Sequence, residues 1–163
     1  MQNHSDFFSA VAALGAIEVL DVDAMRLLYR VECAGEDFYN LIADRVGDGR
    51  AADLLRRNAR EERGHAERVR KAIAVKLGTP SYEPTDADRA PYAVPLPETI
   101  SAELFALIVQ GEIDGDKGYQ RWADRESDPE VQRLLRLNGR EETVHGERVS
   151  DVMAILRGSA PPS

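Results

Sequence analysis

The sequence predicts an all-α protein: a four-helix bundle made of two repeated helical hairpins joined by a long crossover, with a short helix ahead of it. Three observations predict it. Apolar residues recur at alternating steps of three and four along four separate segments, which is the seam of a bundled helix. Shifted by 80, the chain superposes on itself without a gap, with 18 identities over the 42 positions from 29 to 70. Five of the eight prolines crowd into residues 79–97, between the two copies.

Taken in order, residues 1–20 form an N-terminal segment. Its apolar stretch from Phe7 to Leu20 is broken by Ser9, Gly15 and Glu18, which reads as a short helix docked on the body and not as a signal or a membrane span. The bundle domain covers 21–157. Its first helix carries Met25, Leu28, Glu32, Gly35, Tyr39, Ile42 and Val46, with Asp21 or Asp23 as its cap and a stop near Val46-Gly47. The second opens at Asp48, runs through Leu55, Asn58, Glu62, His65, Val69 and Ala72, and ends at Gly78 before Pro80. The short loop between them sets the two antiparallel. Residues 79–97 keep no helical period and read as a semi-rigid connection long enough to run the length of a bundle. The third helix therefore need not oppose the second. It is expected to start near Pro97 and Glu98 and to carry Phe105, Ile108, Glu112, Gly115, Tyr119 and Trp122. The fourth begins with the cap, proline and acid of Asp128-Pro129-Glu130, then Val131, Leu135, Asn138, Glu142, His145, Val149, Val152 and Leu156. The repeats thus span about 22–78 and 98–157, and 158–163 is expected to be a disordered tail.

The most similar parts of the two copies are Arg-Glu-Glu-Arg-Gly-His-Ala-Glu-Arg-Val at 60–69 and Arg-Glu-Glu-Thr-Val-His-Gly-Glu-Arg-Val at 140–149. Each holds Glu-x-x-His, Glu62 with His65 and Glu142 with His145. Residues three apart on a helix share a face, so each pair can aim at one point. One such pair arises by accident on many surface helices. Two in matched positions, using two of the chain's three histidines, do not read as accident. Each half adds one lone acid on its first helix, Glu32 and Glu112. All of these polar residues interrupt the middle of an apolar seam, and a bundle would bring them to one level of the core.

Four carboxylates cannot stand uncompensated in an apolar core, because even one unpaired buried charge costs several kcal/mol. Two divalent cations would balance Glu32, Glu62, Glu112 and Glu142, with His65 and His145 binding as neutral imidazoles. Oxygen and imidazole donors together suit iron or manganese, and zinc after them. The competing reading pairs these acids with Arg60, Arg68, Arg140 and Arg148 on solvent-facing surfaces, but helical spacing places those arginines off the seam. The net charge of −8, from 29 acids against 21 bases, opposes nucleic-acid binding, which needs a basic face. Cys33 is alone, so neither an internal disulfide nor a four-cysteine iron site can form, and a reducing cytoplasm fits. No apolar run reaches the length of a membrane span.

This constellation resembles the ferritin-like di-iron carboxylate superfamily. Within it, Glu32-Cys-Ala-Gly-Glu-Asp-Phe-Tyr39 looks like the first-helix signature of rubrerythrin-type proteins, and Glu61-Glu62-x-x-His65 like their second-helix signature. The resemblance covers about residues 22–157. It implies two iron ions held by Glu32, Glu62, His65, Glu112, Glu142 and His145. It also implies a redox activity that oxidises Fe(II) or reduces dioxygen or hydrogen peroxide, with electrons from a separate donor. A homo-oligomer, a dimer or larger, is expected. Alternatives are an iron-storing or ferroxidase oligomer, a di-iron hydroxylase, and a structural metal-binding bundle without turnover. Two departures stand out: no rubredoxin-type module is expected from a single cysteine, and Gly115 stands where such proteins carry a further glutamate. Around the six residues, Glu61 and Glu141 or Asn58 and Asn138 are expected to orient the imidazoles. Tyr39 and Tyr119 are read as core residues able to reach the acids. Glu36 and Asp116 are read as extra ligands, proton carriers or solvated groups. Gly35 and Gly115 are read as leaving space beside the site or letting helices pack closely.

Overall fold

A computed structural model describes residues 4–158. Those residues form six helices and no strand. Helix α1 (Phe7–Gly15) begins with a reciprocal cap between Asp6 and Ser9. Its buried residues Phe7, Ala10 and Leu14 share one face, and the Phe7 ring lies 5.4 Å from that of Phe38 on the next helix. Helix α2 (Val22–Ala43) starts where the Asp21 carboxylate accepts the Ala24 N–H at 2.8 Å. It ends three residues before the expected Val46, and Gly47 turns the chain at a φ of 68°. Helix α3 (Gly49–Leu77) is capped by Asp48 and closed by Gly78 at a φ of 64°, a left-handed conformation that favours glycine.

The crossover contains one turn that its proline-rich sequence had hidden, α4 (Asp86–Arg89), held by a reciprocal cap between Thr85 and Asp88. Helix α5 (Ala102–Arg125) starts later than Pro97-Glu98. The Ser101 hydroxyl accepts the Leu104 N–H at 3.3 Å, while the Pro97 carbonyl is taken by Arg45 at 2.8 Å. Helix α6 (Pro129–Gly158) is capped by Asp128, whose carboxylate accepts from Glu130 and Val131 at 2.9 and 3.1 Å. Gly158 is still helical, so the expected tail reduces to 159–163, which lies outside the described residues, as does 1–3 of the N-terminal segment.

Side-chain bonds fix the helix directions. Arg56 reaches Asp44 while Arg63 reaches Glu36, so α3 runs against α2. Arg136 reaches Asp124 while Thr143 reaches Asp116, so α6 runs against α5. Asn58 reaches the His145 carbonyl and Asn138 that of His65, so α3 and α6 oppose each other. It follows that α5 runs parallel to α3, which the long crossover makes possible: the architecture is a ferritin-like bundle. The crossover is pinned to α2 on its way. Asp88 accepts from Tyr82 at 2.6 Å and from Arg26 at 3.1 Å, and the Arg30 guanidinium covers the Tyr92 ring at 3.7 Å. Helices α2 and α3 pack along their length, as do α5 and α6, and α3 packs on α6, whereas α2 and α5 lie farther apart and are joined by side-chain bonds of Tyr39 with Glu112 and Tyr119 with Glu32.

Candidate metal centre

Each of the four long helices carries a polar residue into the middle of the core. Glu32 comes from α2, Glu62 and His65 from α3, Glu112 from α5, and Glu142 and His145 from α6. The four acids are 5 to 8 % exposed and both imidazoles fully buried. They converge as two overlapping groups, Glu32 with Glu62, His65 and Glu142, and Glu112 with Glu62, Glu142 and His145. Within each group the facing donor atoms lie within 4.8 Å of one another, and Glu62 and Glu142 belong to both. The two imidazoles stack with centroids 5.1 Å apart.

The two edges of each imidazole differ sharply. His65 Nε2 meets Glu141 at 3.1 Å and His145 Nε2 meets Glu61 at 3.2 Å, each across the bundle. Arginines beside these outer acids help hold them below the usual carboxylate range against the opposing effect of burial at Glu61, and the His65 bond does most for Glu141. They are ionised and can only accept, so the ring proton belongs on Nε2. Nδ1 then presents a lone pair to the core, where neither imidazole's Nδ1 has a hydrogen-bond partner. Around His65 Nδ1 stand oxygens of Glu142, Glu32 and Glu62 at 3.3, 3.4 and 3.6 Å. Around His145 Nδ1 stand those of Glu62, Glu142 and Glu112 at 3.2, 3.5 and 3.7 Å. Acceptors facing acceptors in a buried space form a group that could hold a metal ion between them. Donor atoms held about 2.1 Å from a first-row metal sit roughly 3 Å from each other, so the spacing suits one.

The electrostatics agree. Burial and the neighbouring Glu142 push the Glu62 carboxyl up to about 8, and the same two causes push Glu112 well above the carboxylate range. Glu142 moves down against its own burial, because His65 lies beside it. Against the effect of burial, the flanking Glu142 and Glu62 raise His145 to about 9. Left to itself, the cluster draws its missing positive charge from protons.

Of the surrounding residues singled out by sequence, Tyr39 donates to Glu112 and Tyr119 to Glu32, each from the opposite half. Asn58 and Asn138 do not touch the imidazole rings. They bond the backbone carbonyls of His145 and His65 at 3.2 and 3.3 Å. Glu36 and Asp116 stay outside the cluster: Glu36 is held by Arg63 at 2.6 Å, and Asp116 by Gln120 and Thr143, both at 2.8 Å. Gly35 gives Glu62 room, since a Cβ there would stand 3.1 Å from its Oε2, and at Gly115 a Cβ would meet Glu142 Cγ at 3.5 Å.

Arg68 and Arg148 leave their helices off the seam, as spacing implies, but are not surface groups. Arg60 and Arg140 are exposed as expected, but Arg148 is buried and Arg68 half-buried. Arg148 donates to Asn58 at 2.9 Å and to Glu61 at 2.6 and 3.0 Å; Arg68 likewise binds Asn138 and Glu141. Their stems leave the helix off the seam while their heads reach across to the other half. The signal was present in the sequence: both recur three residues after a histidine.

No curated protein and no solved structure matches the chain. The family model described as Rubrerythrin matches residues 23–153, a span that begins and ends inside α2 and α6 and takes in every residue of the cluster. Bundle, buried carboxylate–imidazole cluster and family match all point one way, and the chain belongs to the rubrerythrin family.

Proposed function

We propose that the protein is a di-iron oxidoreductase of the rubrerythrin kind, reducing hydrogen peroxide or dioxygen at two iron ions held by Glu32, Glu62, His65, Glu112, Glu142 and His145. The observation that carries this reading is the pair of buried Nδ1 atoms without partners, each ringed by carboxylate oxygens. Bound iron would supply Lewis acidity and the electrons that reduce the oxidant. The chain's own residues do the rest. Glu62 and Glu142, common to both groups, would each be available to both ions. Glu61 and Glu141 keep the ring protons on Nε2, so that Nδ1 remains a ligand. Tyr39 and Tyr119 hold the Glu112 and Glu32 carboxylates in place through their hydroxyl protons, which burial keeps on oxygen. The apolar seams above and below shield the cluster along the bundle axis and leave its α2–α5 side as the approach. Electrons arrive from a separate reductant, and the working form is a homo-oligomer.

The test is elemental analysis of protein purified without chelators, beside a Glu62→Ala/Glu142→Ala double variant. About two iron ions per chain, lost in the variant, and an absorption band of oxidised di-iron when Fe(II)-loaded protein meets peroxide, are the expected results. Protein that takes up no transition metal even after anaerobic Fe(II) loading would end this reading.

A further inference from the structure

Where α2 and α5 stand apart, a chamber of about 760 Å³ opens from the surface down to the carboxylate cluster. Its walls are mostly apolar, with Phe8 and Val11 from α1, Phe38 from α2, Leu96 from the crossover, and Leu107 and Ile108 from α5, while Asp114, Lys117 and Arg121 of α5 also border it. Along α5 the chamber is bordered by Gly111, Gly115 and Gly118, spaced to fall on one helix face. At Gly111 an added Cβ would meet no atom within 4 Å. The inner end is formed by Glu32, Glu62, Glu112 and Glu142. At the mouth Phe8, Val11 and Leu107 are 41, 43 and 69 % exposed, an apolar rim open to solvent.

Hydrogen peroxide and dioxygen need only a narrow passage, and this space is the size of a small-molecule site, roughly 300–1,000 Å³. We propose that the chamber binds one uncharged, largely apolar organic molecule, inserted with its inner end against the carboxylate cluster. Three features select that class. In the metal-free protein an anion entering would face four carboxylates at the inner end. Of the charged side chains on the lining besides the carboxylate cluster, Asp114 and Lys117 pair with each other at 3.3 Å and Arg121 donates to the Gly15 and Ile17 carbonyls at 3.4 Å, so a charge drawn past them between the apolar walls would be desolvated without a partner. The depth favours a single molecule over a protein surface: Glu62 and Glu142 belong to α3 and α6, behind the α2–α5 layer, and the flat face of a helix from another copy cannot fill a space reaching that far back. The chamber is built by the chain alone. Only the statement that the ligand ends beside iron rests on the function proposed above.

The experiment is a fluorescence titration of the full chain with N-phenyl-1-naphthylamine, an uncharged apolar probe that brightens on leaving water, run on chelator-treated and on Fe(II)-loaded protein. Saturation at one probe per chain, displacement by 1-decanol and much weaker displacement by decanoate are expected. Gly111→Leu places a side chain in the chamber and improves helix propensity, so it should fold and bind the probe at least tenfold more weakly. Leu107→Glu at the exposed mouth should weaken binding too, while Leu77→Ser, exposed at the far end of α3, should not. Absence of saturable binding, or equal affinity in Gly111→Leu, overturns the proposal. So does a sedimentation result in which the wild type is a dimer that binds no probe and Leu107→Glu is a monomer, because a second copy would then own this face. Protein that holds iron without binding the probe loses the chamber alone. Protein that binds the probe but never holds iron loses the metal reading alone.

Discussion

On its α3–α6 side the carboxylate cluster is walled by charge. Arg68 with Glu141 and Asn138, and Arg148 with Glu61 and Asn58, close the bundle behind both imidazoles. On its α2–α5 side the same cluster is bordered by aliphatic and aromatic carbon, three glycines and open space. The α2–α5 side contributes one acid from each helix, and the α3–α6 side an acid and a histidine from each. What also differs is how the space between helices is used. The charged side holds the imidazoles in one orientation; the apolar side leaves the acids reachable.

The largest expected effect lies on the charged side. Glu61→Ala leaves Arg148, whose side chain is 10 % exposed, without its carboxylate and frees the His145 ring. Breaking a buried pair in this way should cost about 3 kcal/mol in urea unfolding and weaken metal binding roughly 10- to 100-fold. Glu141→Ala should cost less, because Arg68 is 22 % exposed and can recover water. Phe8→Ser on the apolar side should change neither quantity; if it did, the division of labour between the two sides would be wrong.

Removing metal comes next. At a free metal concentration of about 100 times Kd, binding contributes about 2.7 kcal/mol to the folded state. Each kcal/mol moves the melting point of a chain this size by roughly 2–4 °C. Calorimetry with and without chelator should therefore show a drop of several degrees, absent from Glu62→Leu/Glu142→Leu. That variant should also melt above the metal-free wild type, having lost the mutual repulsion of its acids.

The glycines give a smaller effect that separates the halves. Gly115→Ala brings its methyl into ordinary contact with Glu142 and should stabilise the chain by up to about 1 kcal/mol through helix propensity. Gly35→Ala sets its methyl 3.1 Å from Glu62 Oε2 and should instead lower metal affinity in competition titrations. Equal behaviour of the two would mean that Glu62 moves freely.

The smallest effect belongs to the crossover, whose residues 95–97 line the chamber. Bonds from Tyr82, Thr85 and Arg26 hold the Asp88 carboxyl below its ordinary value against the opposing effect of burial. A depressed folded-state value means that the knot's contribution is whole above the ordinary aspartate value of about 4 and drains as pH falls through the folded one. Asp88→Asn should remove about 1 kcal/mol at neutral pH and flatten the acid limb of the stability curve.

Much of this was legible because helical period is local. The four seams, their interruption at matched heights, and the six converging residues follow from spacings of three and four and from a repeat without gaps. Three things were not. The heads of Arg68 and Arg148 are placed by a partner helix, and the position of a stem on its own helix says little about where its several rotatable bonds will carry a guanidinium. Four-residue α4 is too short to show a period, and the start of α5 depends on whether Ser101 or Pro97-Glu98 wins the cap. The chamber depends on the gap between α2 and α5, a distance that neither helix encodes alone. The glycines at 111, 115 and 118 were its only trace in the sequence.

The exchange of bonds between halves has a consequence for how the site opens. Each imidazole is steadied by an acid of the other hairpin, each lone acid by a tyrosine of the other hairpin, and Glu62 and Glu142 are common to both groups of ligands. On the di-iron reading, neither hairpin could loosen while the other kept its full set of ligands. In hydrogen exchange the amides of α3 and α6 should therefore open as one cooperative unit, and the two ions should leave together or stay together.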